Sequence, residues 1–279
     1  MKEFVRLITN ADSIVVITHI APDGDALGSA FALGLAFKSI GKNVSVYLEE
    51  PVPRMLDFLP GQHLITFNSD EVCDLAVCVD TSDMKRLGKG SQIYTKALKR
   101  IVIDHHTTNE MEADGLWIDR KAAAAGEMVY SLMKEMNIKL NFDIAVNLYT
   151  AIATDTGGFR YSNTRPETHL IAADLLACDI PFADIAKNVF DIVSYSKMEL
   201  IKKAMQNLSL HCDGKVAVSW LLNGDITSVN AQPDDFEGLV NIGRNLEGVE
   251  VSLFLREEKP NHYKGSLRAN DYVDVAEIS

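Results

Sequence analysis

The sequence predicts an α/β protein: a mostly parallel sheet with helices on both faces, followed by a smaller mixed α/β domain. Three observations predict it. Short apolar runs recur at Ile14–Ile17, Val44–Leu48, Leu75–Val79 and Ile101–Ile103, with amphipathic stretches between them. Such alternation is the pattern of strands buried in a sheet that helices cover. Three of the four runs lead into aspartate or histidine, at the strand ends where open α/β sheets bind ligands. After residue 206 the pattern changes: Asn207–Cys212 and Lys215–Leu221 flank Asp213-Gly214, a hairpin signal.

Taken in order, Ile14–Ile17 reads as the first strand and Ala30–Phe37 as helical. Between them lies His19-Ile20-Ala21-Pro22-Asp23-Gly24-Asp25-Ala26-Leu27-Gly28-Ser29, a strand-to-helix turn. Pro22 fixes one backbone angle there, Gly24 permits a tight bend, and Asp25 is placed to cap the helix. Leu59-Pro60-Gly61 is a turn. Leu75–Val79 is a strand ending in Asp80, and Ile101–Ile103 is a strand ending in Asp104-His105-His106. Leu148–Thr154 is helix-like and leads into Asp155-Thr156-Gly157-Gly158. Thr164-Arg165-Pro166-Glu167 opens a helix with proline in its first turn. Residues 181–205 read as a helical linker. Asp234–Leu246 reads as a helix, and Glu250–Arg256 with His262–Arg268 as paired strands. Trp117, Trp220 and the phenylalanines read as core.

The 279 residues suffice for two domains, here 1–180 and 206–279. No apolar run is long enough to span a bilayer, and Met1-Lys2-Glu3-Phe4 opens no signal-peptide pattern. Cys73, Cys78, Cys178 and Cys212 form no CxxC pair and read as reduced thiols of a cytosolic protein. A net charge of −12 without a basic stripe argues against binding long nucleic acid. It leaves room for small anions where cations reverse the local sign. A homodimer is left open.

The polar strand ends carry the chemistry. A lone aspartate there is an ordinary cap or turn residue. Here His19, Asp23, Asp25, Asp80, Asp104 and His105 cluster at strand ends, with His106 and Asp155 besides. Converging carboxylates repel unless protonated or bound to cations. Mixed nitrogen and oxygen donors favour Mn²⁺ over an all-oxygen Mg²⁺ site and leave Zn²⁺, Fe²⁺ and Co²⁺ open.

On these motifs, together with Asp155–Tyr161 and Thr164–Thr168, the chain resembles the DHH phosphoesterases over essentially its whole length. Within that family it is similar to the bacterial nanoRNases that also dephosphorylate 3′-phosphoadenosine 5′-phosphate. The resemblance implies a two-metal site. One ion takes His19, Asp23 and Asp80; the other takes Asp25, Asp80, His105 and Asp155, with Asp80 bridging. Four aspartates contribute −4 and two divalent ions +4, so the site is near neutral. Two such ions ~3.5–4 Å apart activate a water and stabilise both oxygens of a phosphoryl displacement. His106 is then the acid-like residue facing phosphate, and Asp104 orients a histidine through its other ring nitrogen.

The resemblance makes 1–180 the DHH catalytic domain and 206–279 a DHHA1-like substrate-binding domain. There Gly243–Gly248 and Gly265–Arg268 match the usual pattern, and Arg268 and Arg244 become candidate phosphate ligands. The family continues beyond the region resembling Asp274-Val275-Ala276 into a glycine-rich stretch ending in His. None is present through Ser279, so this domain reads as truncated relative to the family pattern.

The leading expectation is hydrolysis of very short RNA to mononucleotides and removal of the 3′-phosphate from 3′-phosphoadenosine 5′-phosphate. A phosphodiesterase for cyclic dinucleotides or their linear products is the alternative. A family II inorganic pyrophosphatase is disfavoured, since Gly265–Asn270 holds one arginine where that family has Ser-Arg-Lys-Lys. A regulatory module that only binds metal has no need of His106.

Overall fold

The computed structural model describes residues 1–275. The chain forms two compact units, divided after Asp191.

The first unit is built on a six-stranded sheet, β1 (Ser13–Ile17), β2 (Asn43–Tyr47), β3 (Ile65–Thr66), β4 (Leu75–Val79), β5 (Lys99–Asp104) and β6 (Gly115–Ile118), ordered β3-β2-β1-β4-β5-β6. Every pairing is parallel. The central stretches Ile14–Ile17, Leu75–Val79 and Ile101–Ile103 read as unbroken apolar runs because both faces are buried. Ile14, Val16, Leu75, Val77, Val79, Ile101 and Ile103 enter one core; Val15, Ile17, Ala76, Cys78 and Val102 enter the other. That is the period of two expected of a strand.

The larger core is closed by α1 (Lys2–Asn10), α2 (Gly24–Ser39), α4 (Ala125–Glu135) and α5 (Phe142–Asp155), and the smaller by α3 (Gly90–Lys96). Helices therefore cover both faces. The chain runs from β1 to β2 on one side and returns to β4 on the other, so the order reverses between β1 and β4. At such a switch point a crevice opens at the carboxyl ends of the strands.

Helix α6 (Pro166–Leu176) carries its proline in the first turn, as expected. The linker is not one helix: α7 (Phe182–Ala186) passes into a π-turn over Lys187–Asp191, and Ser194 then caps α8 (Tyr195–Gln206). No helix among the described residues is long and apolar enough to cross a membrane.

The second unit holds a four-stranded mixed sheet, β7 (Ser209–His211), β8 (Val216–Leu221), β9 (Val251–Lys259) and β10 (His262–Ala269), ordered β10-β9-β8-β7. The β7–β8 and β9–β10 pairs are antiparallel and β8–β9 is parallel. Cys212, Asp213 and Gly214 all have positive φ in the first hairpin turn. Leu200, Ala204, Leu221, Leu239, Val240 and Phe254 form its core. The helix expected over 234–246 is broken. After α9 (Asn223–Ser228), a 3₁₀ turn at Pro233–Phe236 and a short α10 (Asn241–Arg244) flank Gly238, whose φ of +76° no helix accommodates.

Not every phenylalanine is core: Phe67, Phe142, Phe182 and Phe190 are exposed, and Trp117 and Trp220 are only partly buried. All four cysteines are free; Cys73 and Cys78 are buried, while Cys212 is exposed in its turn.

Candidate metal centre

Three strand ends deliver the polar residues. His19 follows β1, Asp80 follows β4 directly, and Asp104-His105-His106 closes β5. Asp80 sits in the left-handed region at φ +55°, tolerated by aspartate though costly, with its N–H donated to Ile103 at 3.0 Å. This backbone turns its carboxylate in among the other strand ends.

Helix termini bring the rest. The cap of α2 is Asp23, not Asp25: its carboxylate accepts from the N–H groups of Asp25 and Ala26 at 3.1 and 3.0 Å. Asp25 is fully buried and reaches across the fold to the start of α4, accepting from Ala125 N at 2.6 Å and Gly126 N at 2.9 Å. Gly24 is there for space rather than for a bend, because a Cβ on it would lie 2.3 Å from Thr154 Cγ2 on α5. The positive φ in this turn belongs to Ala21. Helix α5 ends at Asp155, where Gly157 and Gly158 take positive φ.

The side chains converge in three overlapping groups: His19–Asp23–Asp80, Asp25–His105–Asp155 and Asp80–His105–His106. Within each, the ligand atoms lie within 4.8 Å of one another. His105 Nε2 stands 3.2 Å from Asp155, 3.5 Å from Asp80 and 3.6 Å from Asp25. His19 Nε2 is 3.6 Å from the other oxygen of Asp80.

The ring tautomers follow from their partners. His19 Nδ1 bonds the Ile20 carbonyl at 2.8 Å and His105 Nδ1 the Ala122 carbonyl at 3.3 Å. A carbonyl only accepts, so Nδ1 carries a hydrogen in either protonation state, and Nε2, which faces the carboxylates, is the nitrogen free to ligate a metal. His106 differs: its Nδ1 bonds Asp104 at 2.7 Å, so that nitrogen is already engaged.

The electrostatics of the site follow from burial and from the crowding of its carboxylates. Burial lifts Asp25 well above the usual carboxylate range, and the charges on Asp80 and Asp155 lift it further. Burial also opposes charge on Asp80, but the His105 and His19 rings facing it outweigh that and hold Asp80 low. Burial disfavours the cationic form of His105, yet Asp155 and Asp80 push it up to about 12. Carboxylates crowded in this way favour positive charge among them. Asp80 Oδ1 is buried without a hydrogen-bond partner among the described residues. Spacings of 3.2–3.6 Å between donors suit adjacent ligands of one ion, which lie about 3 Å apart at ~2.1 Å bond lengths. The residues present fit divalent metal.

All six predicted ligands, His106 and Asp104 meet in the first unit. Arg268 and Arg244 do not lie there. Arg268 is exposed on β10 and donates to the carbonyl of Leu267, and Arg244 ends α10 in the second unit. Asn109 escaped the sequence reading. Asn109 donates to Asp104 Oδ2 at 2.7 Å and to the Thr81 carbonyl at 3.1 Å, and accepts from Met111 N. Its signal was an amide close behind a histidine pair in a polar loop, which without the fold reads as a turn residue.

Comparison with known proteins gives the family. A model of the DHH family, N-terminal domain, matches residues 13–153. The chain is 31% identical over 270 residues to the bifunctional oligoribonuclease and PAP phosphatase NrnA of Thermus thermophilus, covering 95% of this chain and 79% of that protein. It is 28% identical to the Bacillus subtilis protein of the same name, covering 92% of this chain and 81% of that one. The crystal structure of an exopolyphosphatase-related protein from Bacteroides fragilis superposes with a TM-score of 0.89 at 29% identity, over 96% of this chain and 82% of the other. With the matched segment spanning the sheet that assembles the His/Asp centre, the chain belongs to the DHH family of phosphoesterases.

Proposed function

We propose that this protein hydrolyses very short oligoribonucleotides to mononucleotides and removes the 3′-phosphate of 3′-phosphoadenosine 5′-phosphate, using two divalent ions, with Mn²⁺ as the native metal. The observation that carries the reading is the position of Asp80. One carboxylate oxygen faces His19 and the other faces His105, so a single side chain belongs to two donor sets. His19, Asp23 and Asp80 form one set; Asp25, Asp80, His105 and Asp155 form the other. The ions would supply Lewis acidity toward the phosphoryl oxygens and activate water.

The remaining steps belong to the chain. His106, held by Asp104, offers its ring to the phosphate oxygens as charge develops there. Asp104 is fully buried and engaged by His106 and Asn109, which suits a residue that orients rather than reacts. The domain over 206–279 is assigned to substrate binding, with Arg268 and Arg244 as phosphate contacts; its last four residues lie outside the described residues. Likeness in sequence to the two proteins named oligoribonuclease and PAP phosphatase supports this choice of substrates. The test is product analysis with Mn²⁺ on pApA, 3′-phosphoadenosine 5′-phosphate, a cyclic dinucleotide and pyrophosphate. AMP from the first two is expected. Turnover confined to the cyclic dinucleotide or to pyrophosphate would overturn the assignment.

A further inference from the structure

We propose that a clasp made by Glu127, Arg165 and Thr168, with Asn163 beside it, positions one half of the metal centre and not the other. The inference rests on the two-ion reading above. Its basis is the segment Ala122–Gly126, to which all three members of one donor group are tied. The Ala122 carbonyl takes His105 Nδ1 at 3.3 Å. The N–H groups of Ala125 and Gly126 hold Asp25 at 2.6 and 2.9 Å. Asn163 Nδ2 bridges the Ala123 carbonyl at 3.0 Å and the Asp155 carbonyl at 3.1 Å. His19 and Asp23 make no such contact; they bond Ile20, Asp25 and Ala26 in their own turn.

The segment cannot fix itself. Ala122, Ala123, Ala124 and Ala125 offer no polar side chain, so their backbone must be held from outside. Glu127 does this. Its Oε2 accepts from Ala123 N at 3.1 Å and from Arg165 Nη2 at 2.7 Å, while Oε1 accepts a short hydrogen bond from Thr168 Oγ1. Thr168 Oγ1 in turn accepts from Arg165 N at 3.1 Å. Glu127 is 3% exposed and Thr168 is fully buried. A buried carboxylate is a poor way to gain stability, since desolvation offsets much of its pairing. It is a good way to hold a backbone in one place. Loss of such outer partners weakens metal binding about 10–100-fold.

The test is Mn²⁺ titration of the full chain, by equilibrium dialysis with metal analysis and by electron paramagnetic resonance of the spin-coupled pair. Wild type should bind two ions. Thr168→Val and Asn163→Ala should keep one ion at wild-type affinity and weaken the other about 10–100-fold, with loss of the coupled signal. Thr168→Ser, which keeps the hydroxyl, should retain both. His19→Ala should weaken the opposite ion, so that His19→Ala with Thr168→Val loses both. Asn163 is exposed, so its variant reports even where Thr168→Val reduces stability. Two ions in wild type with both weakened equally, or neither weakened, in Asn163→Ala and Thr168→Val would overturn the clasp alone. Fewer than two ions in wild type would overturn the two-ion reading itself.

Discussion

Gly24→Ala is a single-methyl test of how the site is assembled. The added Cβ would lie 2.3 Å from Thr154 Cγ2, 2.7 Å from Thr154 Oγ1 and 2.9 Å from Thr154 Cβ. Carbon atoms pack at ~3.5–4.0 Å, so relief requires about 1 Å of separation. Thr154 cannot simply rotate away, because its hydroxyl is bonded to the carbonyls of Thr150 and Ala151 at 2.9 Å each. The start of α2 must therefore move from the end of α5. Asp23 and Asp25 flank Gly24, and Asp155 follows Thr154, so that movement pulls Asp25 away from Asp155 within one donor set and shifts Asp23 in the other. Overpacking of this kind costs about 1–3 kcal/mol of stability. A misplacement of ~1 Å at reacting groups costs about 10²-fold in rate. Urea unfolding and kcat/KM on the best substrate, measured side by side, should show both losses. Adding Thr154→Ala removes the two nearest atoms and should restore about tenfold of the rate, as coupled neighbours do. A Gly24→Ala protein with wild-type rate, or a loss that Thr154→Ala leaves unrelieved, would refute the reasoning.

Other expectations follow from the same geometry. His106→Ala should keep fold and metal but lose turnover by roughly 10²–10⁴-fold; loss of an ion in metal analysis would make His106 a ligand. Asn109→Ala removes the 2.7 Å bond that steadies Asp104, and should lower kcat by about tenfold with KM nearly unchanged. An unaltered kcat would place Asn109 outside the site. With a net charge of −12, the chain should cleave RNAs of two to about five nucleotides and slow steeply beyond. Equal rates on labelled RNAs of about two, five and twenty-four nucleotides would point instead to a nuclease for long strands.

The sheet was legible where burial is two-sided. Within strands β1, β4 and β5 the stretches Ile14–Ile17, Leu75–Val79 and Ile101–Ile103 are apolar without interruption because helices cover both faces, and each is followed within two residues by a metal-site residue. The edge strands were not: Ile65-Thr66 is two residues long, and in Gly115–Ile118 Leu116 is half exposed, so neither makes a run. The ligand set was legible because carboxylates at buried strand ends are costly without cations. What Asp25 does was not, since its partners Ala125 and Gly126 stand a hundred residues on and nothing local marks the contact. Glu127 was hidden for the same reason: beside four alanines it reads as an ordinary acid in the first turn of a helix. The interrupted helix over 234–246 shows the reverse error, where apolar spacing outweighed Gly238.

The central claim is that Asp80 lies between two metal ions. Anomalous scattering from crystals of the full chain soaked in Mn²⁺ tests it directly. The account predicts two peaks ~3.5–4 Å apart on either side of the Asp80 carboxylate, one beside His19 and Asp23, the other beside Asp25, His105 and Asp155. A single peak, or peaks remote from Asp80, would contradict it.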